Sequence, residues 1–328
     1  MLVYTPTYQG HAGQWIYNGY QNAWRQLGYG VVLPSAEEIA EACSARPSWQ
    51  PGQCVQFLSI PISEEHLNKD YIMMATDDLA HDYGSHFLKA ASKSYKTFIF
   101  AQPNTYPQPW GSSRNFQCRA SDETINALNQ MDNVYLWTFT DVVPDYFHKW
   151  KKVQTIPLAF DSISYKPTID KSYGKYDICF VGGWVDNGLD EKRKIMMDIF
   201  LEFKKSGLNC GFFINKNLSH EQENALLYNS KISLNIHDAY QRTLGLDTNE
   251  RTYKSLGLNG IMISDKVGQL ERIFPEVKTT LDPSELVNIT KDYLSLSEKE
   301  LNDIKEKNRQ HVLDNHCYTH RVKELLAL

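Results

Sequence analysis

Asn249-Glu-Arg-Thr-Tyr-Lys-Ser-Leu-Gly-Leu-Asn-Gly260, followed at once by Ile261-Met-Ile-Ser-Asp265, is the stretch on which the reading of this chain turns. Small and polar residues open it, and Tyr253, Leu256 and Leu258 are spaced for a short amphipathic helix. Gly260 ends that helix, and an apolar strand follows. A helix start bearing Asn249 and Arg251 can hold an anion with backbone N–H groups and a guanidinium together. The stretch is one half of a βαβ layer with a charged ligand at its edge.

Working outward, the same alternation recurs. Residues 178–181, 211–214 and 232–236 read as strands, 191–205 and 219–227 as helices, and 284–296 and 299–315 as closing helices. Towards the N-terminus, 2–4, 31–33, 54–60, 71–74, 98–100, 134–138 and the start of 153–161 read as strands. Residues 15–27, 37–42, 122–131 and 143–150 carry helical spacing. Strands alternating with helices predict mostly parallel sheets covered by helices, an α/β class. A length of 328 residues fits two domains. The boundaries expected are 1–161 for the first, a polar linker at 162–175, 176–310 for the second, and a terminal helix at 311–328 that packs back toward an interdomain cleft.

The net charge of −5 is spread along the chain without a basic tract, which speaks against stable nucleic-acid binding but leaves a weakly held nucleic-acid acceptor open. The six cysteines form no CxxC and no zinc spacing with histidine, as expected of reduced thiols. No stretch approaches transmembrane length, so a cytoplasmic protein, or one peripheral to a membrane surface, is expected.

Several segments in order carry a resemblance. They are Ile156-Pro-Leu-Ala-Phe-Asp161, Tyr176-Asp-Ile-Cys-Phe-Val-Gly-Gly183, Ile232-Ser-Leu-Asn-Ile-His237, Asn249-x-Arg251-Thr-Tyr253-x-x-x-Gly257, Ile261-Met-Ile-Ser-Asp265 and the closing His316-Cys-Tyr-Thr-His-Arg-Val-Lys-Glu-Leu-Leu326. Their succession resembles the GT-B glycosyltransferases, in particular the group 1 branch that includes the CgeB-like spore maturation proteins. The resemblance implies two Rossmann-like domains with a cleft between them. It also implies a nucleoside-diphosphate sugar, UDP- or GDP-linked, held mainly by the second domain, and an acceptor glycan or other hydroxyl compound held by the first. No tightly bound cofactor and no metal is expected, and a retaining mechanism is favoured over an inverting one. The alternatives are a GT-B epimerase or phosphorylase, and a noncatalytic carbohydrate-binding or surface-maturation protein on the same scaffold.

The candidate donor residues follow. Arg251 and the Asn249 helix start would meet developing negative charge on the leaving diphosphate. Gly182 and Gly183 either make a strand-to-loop turn of unusual angles or let phosphate approach closely. Arg193 opens the next helix, as a phosphate contact or a solvated side chain. Many relatives carry glutamate where this chain has Lys254, and lysine cannot accept ribose hydroxyl bonds. Either Glu271 or Asp247 then supplies the acceptor, or the nucleotide is held differently, or donor binding has decayed, and a diphosphate contact is the alternative role for Lys254. His237 at a strand end is a candidate for the anomeric centre. On the acceptor side, His11 and Asp78 are candidate bases. Gln14 and Trp15 are candidate contacts beside His11, and Tyr106 and Trp110 candidate stacking platforms.

Overall fold

The structure is a computed structural model that describes residues 1–7, 11–37, 67–75, 84–101, 120–143, 147–183 and 191–328. These divide into two compact units, one running to Pro157 and taken up again at Tyr318–Leu328, the other spanning Leu158–Cys317.

In the first unit, β1 (Leu2–Tyr4), α1 (His11–Gln26), β2 (Gly30–Val32), β3 (Tyr71–Ala75), α2 (Gly84–Lys93), β4 (Lys96–Phe100), α3 (Asp122–Asn129), β5 (Val134–Thr138) and β6 (Val153–Thr155) follow one another. The described strands form a sheet in the order β2-β1-β3-β4-β5-β6, every neighbouring pair parallel. The order reverses between β1 and β3, so the loop that leads from β1 into α1 starts at a topological switch point. Ile16, Tyr17, Tyr20, Ala23 and Trp24 put the buried face of α1 on one stripe at helical spacing. Gly28, at φ +90°, takes the chain out of that helix. Ile72, Met74, Ile99, Leu136, Phe87 and Phe147 form the core on one side.

The second unit holds β7 (Ile178–Gly182), α4 (Glu191–Lys205), β8 (Cys210–Ile214), α5 (His220–Asn229), β9 (Ile232–Asn235), α6 (Ala239–Leu244), α7 (Glu250–Leu258), β10 (Met262–Ser264), α8 (Gly268–Ile273), β11 (Lys278–Thr279), α9 (Pro283–Leu294) and α10 (Glu298–Asn315). Its described strands pair in parallel in the order β11-β10-β9-β7-β8, with the switch point between β7 and β9. Ile178, Phe180, Ile232, Leu234, Ile261 and Ile263 are buried among α4, α9 and α10 side chains, which explains strands that read as continuous apolar runs. Gly260 closes α7 at φ +85°, and a Cβ there would stand 2.7 Å from the Lys305 carbonyl carbon. Capping side chains start several helices: Ser219 accepts from Gln222 N, Asn249 from Thr252 N, and Ser297 from Glu300 N.

Two expectations shift. Residues 158–175 are part of the second unit. Phe160 N donates to His316 O at 2.7 Å, and the Phe160 ring lies against Gly257. Asn229 Nδ2 donates to Thr168 O at 2.7 Å, while its Oδ1 accepts from Asp170 N at 3.1 Å. The terminal helix α11 (Tyr318–Ala327) belongs to the first unit, where the Tyr318 ring meets Tyr20 at 4.8 Å and fills the space that Gly19 leaves. Among the described residues of the expected helix at 143–150, residues 147–150 form a tight turn with Phe147 and Trp150 buried. The strand expected at 54–60 and most of the helix at 37–42 lie outside the described residues.

Candidate functional site

The C-terminal ends of β7 and β9, on either side of the switch point, are joined by one side chain. Arg251, in the first turn of α7, donates from Nε to Val181 O at 2.9 Å and from Nη1 to Ile236 O at 3.1 Å and Asn235 Oδ1 at 3.3 Å. Its guanidinium also lies 4.9 Å from the Phe180 ring centroid, and the residue is 7% exposed. Neither Glu250 nor Asp247 pairs with it. Placed there, Arg251 ties two strand ends together and sets a fixed positive charge beside the helix N-terminus.

The diglycine has a specific cause. Neither glycine has positive φ. A Cβ on Gly182 would stand 2.8 Å from Arg251 Cζ and 2.9 Å from Nε, and one on Gly183 would run into Asn215 Oδ1. Asn215, itself at φ 50°, donates its N–H to Gly182 O at 2.9 Å. Arg251 and Asn215 of this chain therefore make the close approach for which glycine is needed. Asn249 caps α7: its Oδ1 accepts from Thr252 N at 3.2 Å, and its Nδ2 donates to Ile236 O at 3.4 Å. The first-turn N–H groups of a helix have no intrahelical partner, so a capped α7 start at a sheet switch point is a place where an anion can be held.

Behind this helix start lies a buried polar cluster. His237 is fully buried, with Nδ1 2.6 Å from Asp265 Oδ1 and Nε2 2.7 Å from Thr248 Oγ1. Burial pushes the Asp265 carboxyl up, but the His237 ring, Arg242 and the His237 backbone N–H outweigh it and hold it below the ordinary carboxylate value. Arg242 Nε stands 3.7 Å from Asp265 Oδ2. Asp247 is buried too. Its Oδ2 accepts from Gln241 Nε2 at 2.7 Å, and its Oδ1 has no hydrogen-bond partner. Burial pushes that carboxyl up to about 7, the Gln241 bond works against the rise, and Asp238 adds to it.

The expected site residues fall into separate groups. Gly182, Gly183, Asn249 and Arg251 come together at the switch point. His237 adjoins them but is enclosed by Asp265 and Thr248, so its ring has no open edge for a sugar hydroxyl. Lys254 forms an ion pair with Glu223 Oε1 at 2.5 Å, each side chain 9% exposed, and lies 5.3 Å from the Tyr165 ring centroid. Its charge is spent on Glu223, a residue that the sequence reading passed over. Glu271 accepts from Thr279 Oγ1 at 2.9 Å and pairs with Lys266 at 3.5 Å. Arg193 is exposed in the first turn of α4, next to Lys192, which pairs with Asp238 at 2.8 Å. In the first unit, His11 begins α1 and Gln14 and Trp15 follow in the same helix. Asp78, Tyr106 and Trp110 lie outside the described residues. Asp265 closes the apolar run that starts at Ile261, and hydrophobic periodicity has no means to register it as a partner of His237.

Among the described residues, no group of three or more His, Cys, Asp or Glu side chains is arranged to hold a metal, and no helix is long and apolar enough to cross a membrane. Residues 184–327 match the family model Glyco_trans_1_2, described as glycosyl transferase-like. No curated protein sequence matches the chain. Among solved structures, the chain is similar to an alpha-glucosyltransferase in complex with UDP and a 13-mer DNA containing a central A:G mismatch (12% identity, TM-score 0.55, covering 99% of this chain and 98% of that one). It is similar to a trehalose-6-phosphate protein from E. coli bound with UDP-2-fluoro glucose (10% identity, TM-score 0.59, 99% and 98%). It is similar also to T4 phage BGT in complex with UDP and Mn2+ (11% identity, TM-score 0.53, 100% and 100%). The chain has the GT-B fold, and its residues 184–327 are similar to the glycosyl transferase-like family.

Proposed function

We propose that the protein is a glycosyltransferase that moves a sugar from a nucleoside-diphosphate sugar, UDP- or GDP-linked, to a glycan or another hydroxyl acceptor. The carrying observation is the switch-point constellation of the second unit: a helix start capped by Asn249, the guanidinium of Arg251 spanning β7 and β9, and Gly182 against it. Nucleotides captured in solved structures of the same fold support the donor class. In this reading the first turn of α7 and Arg251 stabilise the diphosphate as it leaves. A retaining course, in which the leaving phosphate takes the acceptor proton, needs no enclosed base such as His237. An inverting course would call on His11 or Asp78 of the first unit.

Calorimetric titration of the full chain with UDP, GDP, TDP and ADP, without metal, tests the donor site. Binding of at least one is expected, and failure of the folded protein to bind any of them sinks the reading. Incubation with the matching sugar donor then reports slow hydrolysis, and the anomeric configuration of the product reports stereochemistry. A second reading, a noncatalytic protein on this scaffold, draws on the burial of Lys254 against Glu223. Nucleotide binding without any donor turnover would favour it.

A further inference from the structure

The buried cluster behind α7 is a continuous line of hydrogen bonds with a cation at one end and an anion at the other. Arg251 Nη1 donates to Asn235 Oδ1 at 3.3 Å, and Asn235 Nδ2 donates to Thr252 Oγ1 at 2.8 Å. Thr252 Oγ1 lies 2.5 Å from Thr248 Oγ1, Thr248 Oγ1 2.7 Å from His237 Nε2, and His237 Nδ1 2.6 Å from Asp265 Oδ1. All of these residues are buried.

The donors and acceptors can be ordered. An ionised carboxylate only accepts, so His237 Nδ1 carries the proton given to Asp265. Asp265 is held in place by the His237 backbone N–H, 3.1 Å from each of its oxygens, and by Ser264 Oγ, which donates at 3.2 Å. Asn235 Nδ2 also approaches His237 Nε2, at 3.4 Å, which suits an unprotonated Nε2. Thr248 then donates to Nε2, and Thr252, already accepting from Asn235, gives its one proton to Thr248 Oγ1 at 2.5 Å in preference to Asn249 Oδ1, which stands farther off at 3.4 Å. Every proton along the line points from Arg251 towards Asp265. The amide of Asn235 is thereby oriented with its oxygen on Arg251.

We infer that Asp265 is a positioning residue for Arg251, fixing the His237 tautomer and, through Thr248, Thr252 and Asn235, the guanidinium that faces the α7 N-terminus. A buried network of this kind is polarised as a unit, so its members are coupled beyond their pairwise contacts. The inference rests on the reading of that helix start as the diphosphate site.

The test pairs a tautomer measurement with a double-mutant cycle on the full chain. Nitrogen-15 NMR of labelled wild-type protein should show His237 neutral, protonated at Nδ1 and bare at Nε2. A proton on Nε2 would overturn the inference. UDP and GDP affinities are then measured for Asp265→Asn, Thr252→Val and the double variant. Each single change should weaken binding about tenfold, and the double no more than the worse single, because both cut the same line. Multiplicative losses would mean that the two act separately and would overturn the inference while leaving the donor site standing. Thr248→Val interrupts the line from its middle and replaces Asp265→Asn in the cycle if that variant does not fold. Wild-type protein that binds neither nucleotide removes the donor reading, and this inference with it.

Discussion

Asp247→Asn separates a buried carboxylate's cost from its contacts. Burial pushes the Asp247 carboxyl up to about 7 from an ordinary 3.8, and Oδ1 has no partner that would offset the lost water. Between these two values the folded chain keeps a proton that the unfolded chain releases. The group's contribution to stability is therefore complete below about pH 4, declines as pH rises to about 7, and stays low above that. At about 1.4 kcal/mol per pH unit, the penalty is about 1.5–2 kcal/mol at pH 5 and about 4 kcal/mol at pH 8. Asparagine has no such titration. Its oxygen can still accept from Gln241, while its amide N–H is left unpaired at a cost of about 1–3 kcal/mol at both pH values. The variant should thus be close to neutral or destabilising at pH 5 and should gain about 2–3 kcal/mol relative to wild type on moving to pH 8. Hydrogen exchange of peptides spanning β9 and β10, read by mass spectrometry in both buffers, reports the stability of the second unit. An equal difference between variant and wild type at pH 5 and pH 8 would refute the reasoning, since it would mean that Asp247 is ionised in the fold at both.

Three further outcomes are expected. Gly182→Ala puts a methyl group into the Arg251 guanidinium and should weaken nucleoside-diphosphate binding at least tenfold in calorimetry, with a stability loss of about 1–3 kcal/mol in urea unfolding. Gly260→Ala meets both a left-handed backbone at φ +85° and the Lys305 main chain, and its melting transition should reveal a loss of about 2–4 kcal/mol. Lys254→Met leaves Glu223 unpaired in a largely buried place at a cost of about 3–5 kcal/mol, most of which the added Glu223→Gln should restore, as measured by a chemical-denaturation cycle.

The second unit was legible because each of its signals is local. A polar cap, three apolar residues at helical spacing and a terminating glycine specify α7 within a dozen positions, and the structure places the helix at Glu250–Leu258 with Asn249 as cap. Runs such as Ile178–Gly182 are buried on both faces and read as strands without ambiguity. Where the pattern is short or weak, the sequence says less. The helices α6 and α8, six residues each, escaped notice because fewer than two turns carry no period. The domain boundary shifted because Phe160 and Asn229 fasten residues 158–175 through contacts distant in sequence. Side-chain pairing was the least legible. Nothing in the spacing of Lys254 and Glu223, or of His237 and Asp265, shows that each pair meets.

Those pairings decide how an anion would be held. Around the α7 start, positive charge is matched almost one for one: Lys254 by Glu223, Lys192 by Asp238, and Arg242 by Asp265 at longer range. Among the described residues Arg251 is joined to no carboxylate directly, its three bonds going to two main-chain carbonyls and one amide oxygen. Carbonyl and amide partners satisfy its protons without cancelling its charge, so the guanidinium keeps its positive field while its position is fixed from β7 and from β9. Were it paired with Glu250 or Asp247, the same bonds would neutralise it and the helix terminus would act by its dipole alone. Burial of Asp247, which pushes its carboxyl up to about 7, serves the same end by reducing its negative charge near neutral pH, because a fully ionised group close in sequence to the α7 cap would repel a diphosphate. The chemistry assigned to this site thus depends less on accumulating cations than on withholding carboxylates from one of them.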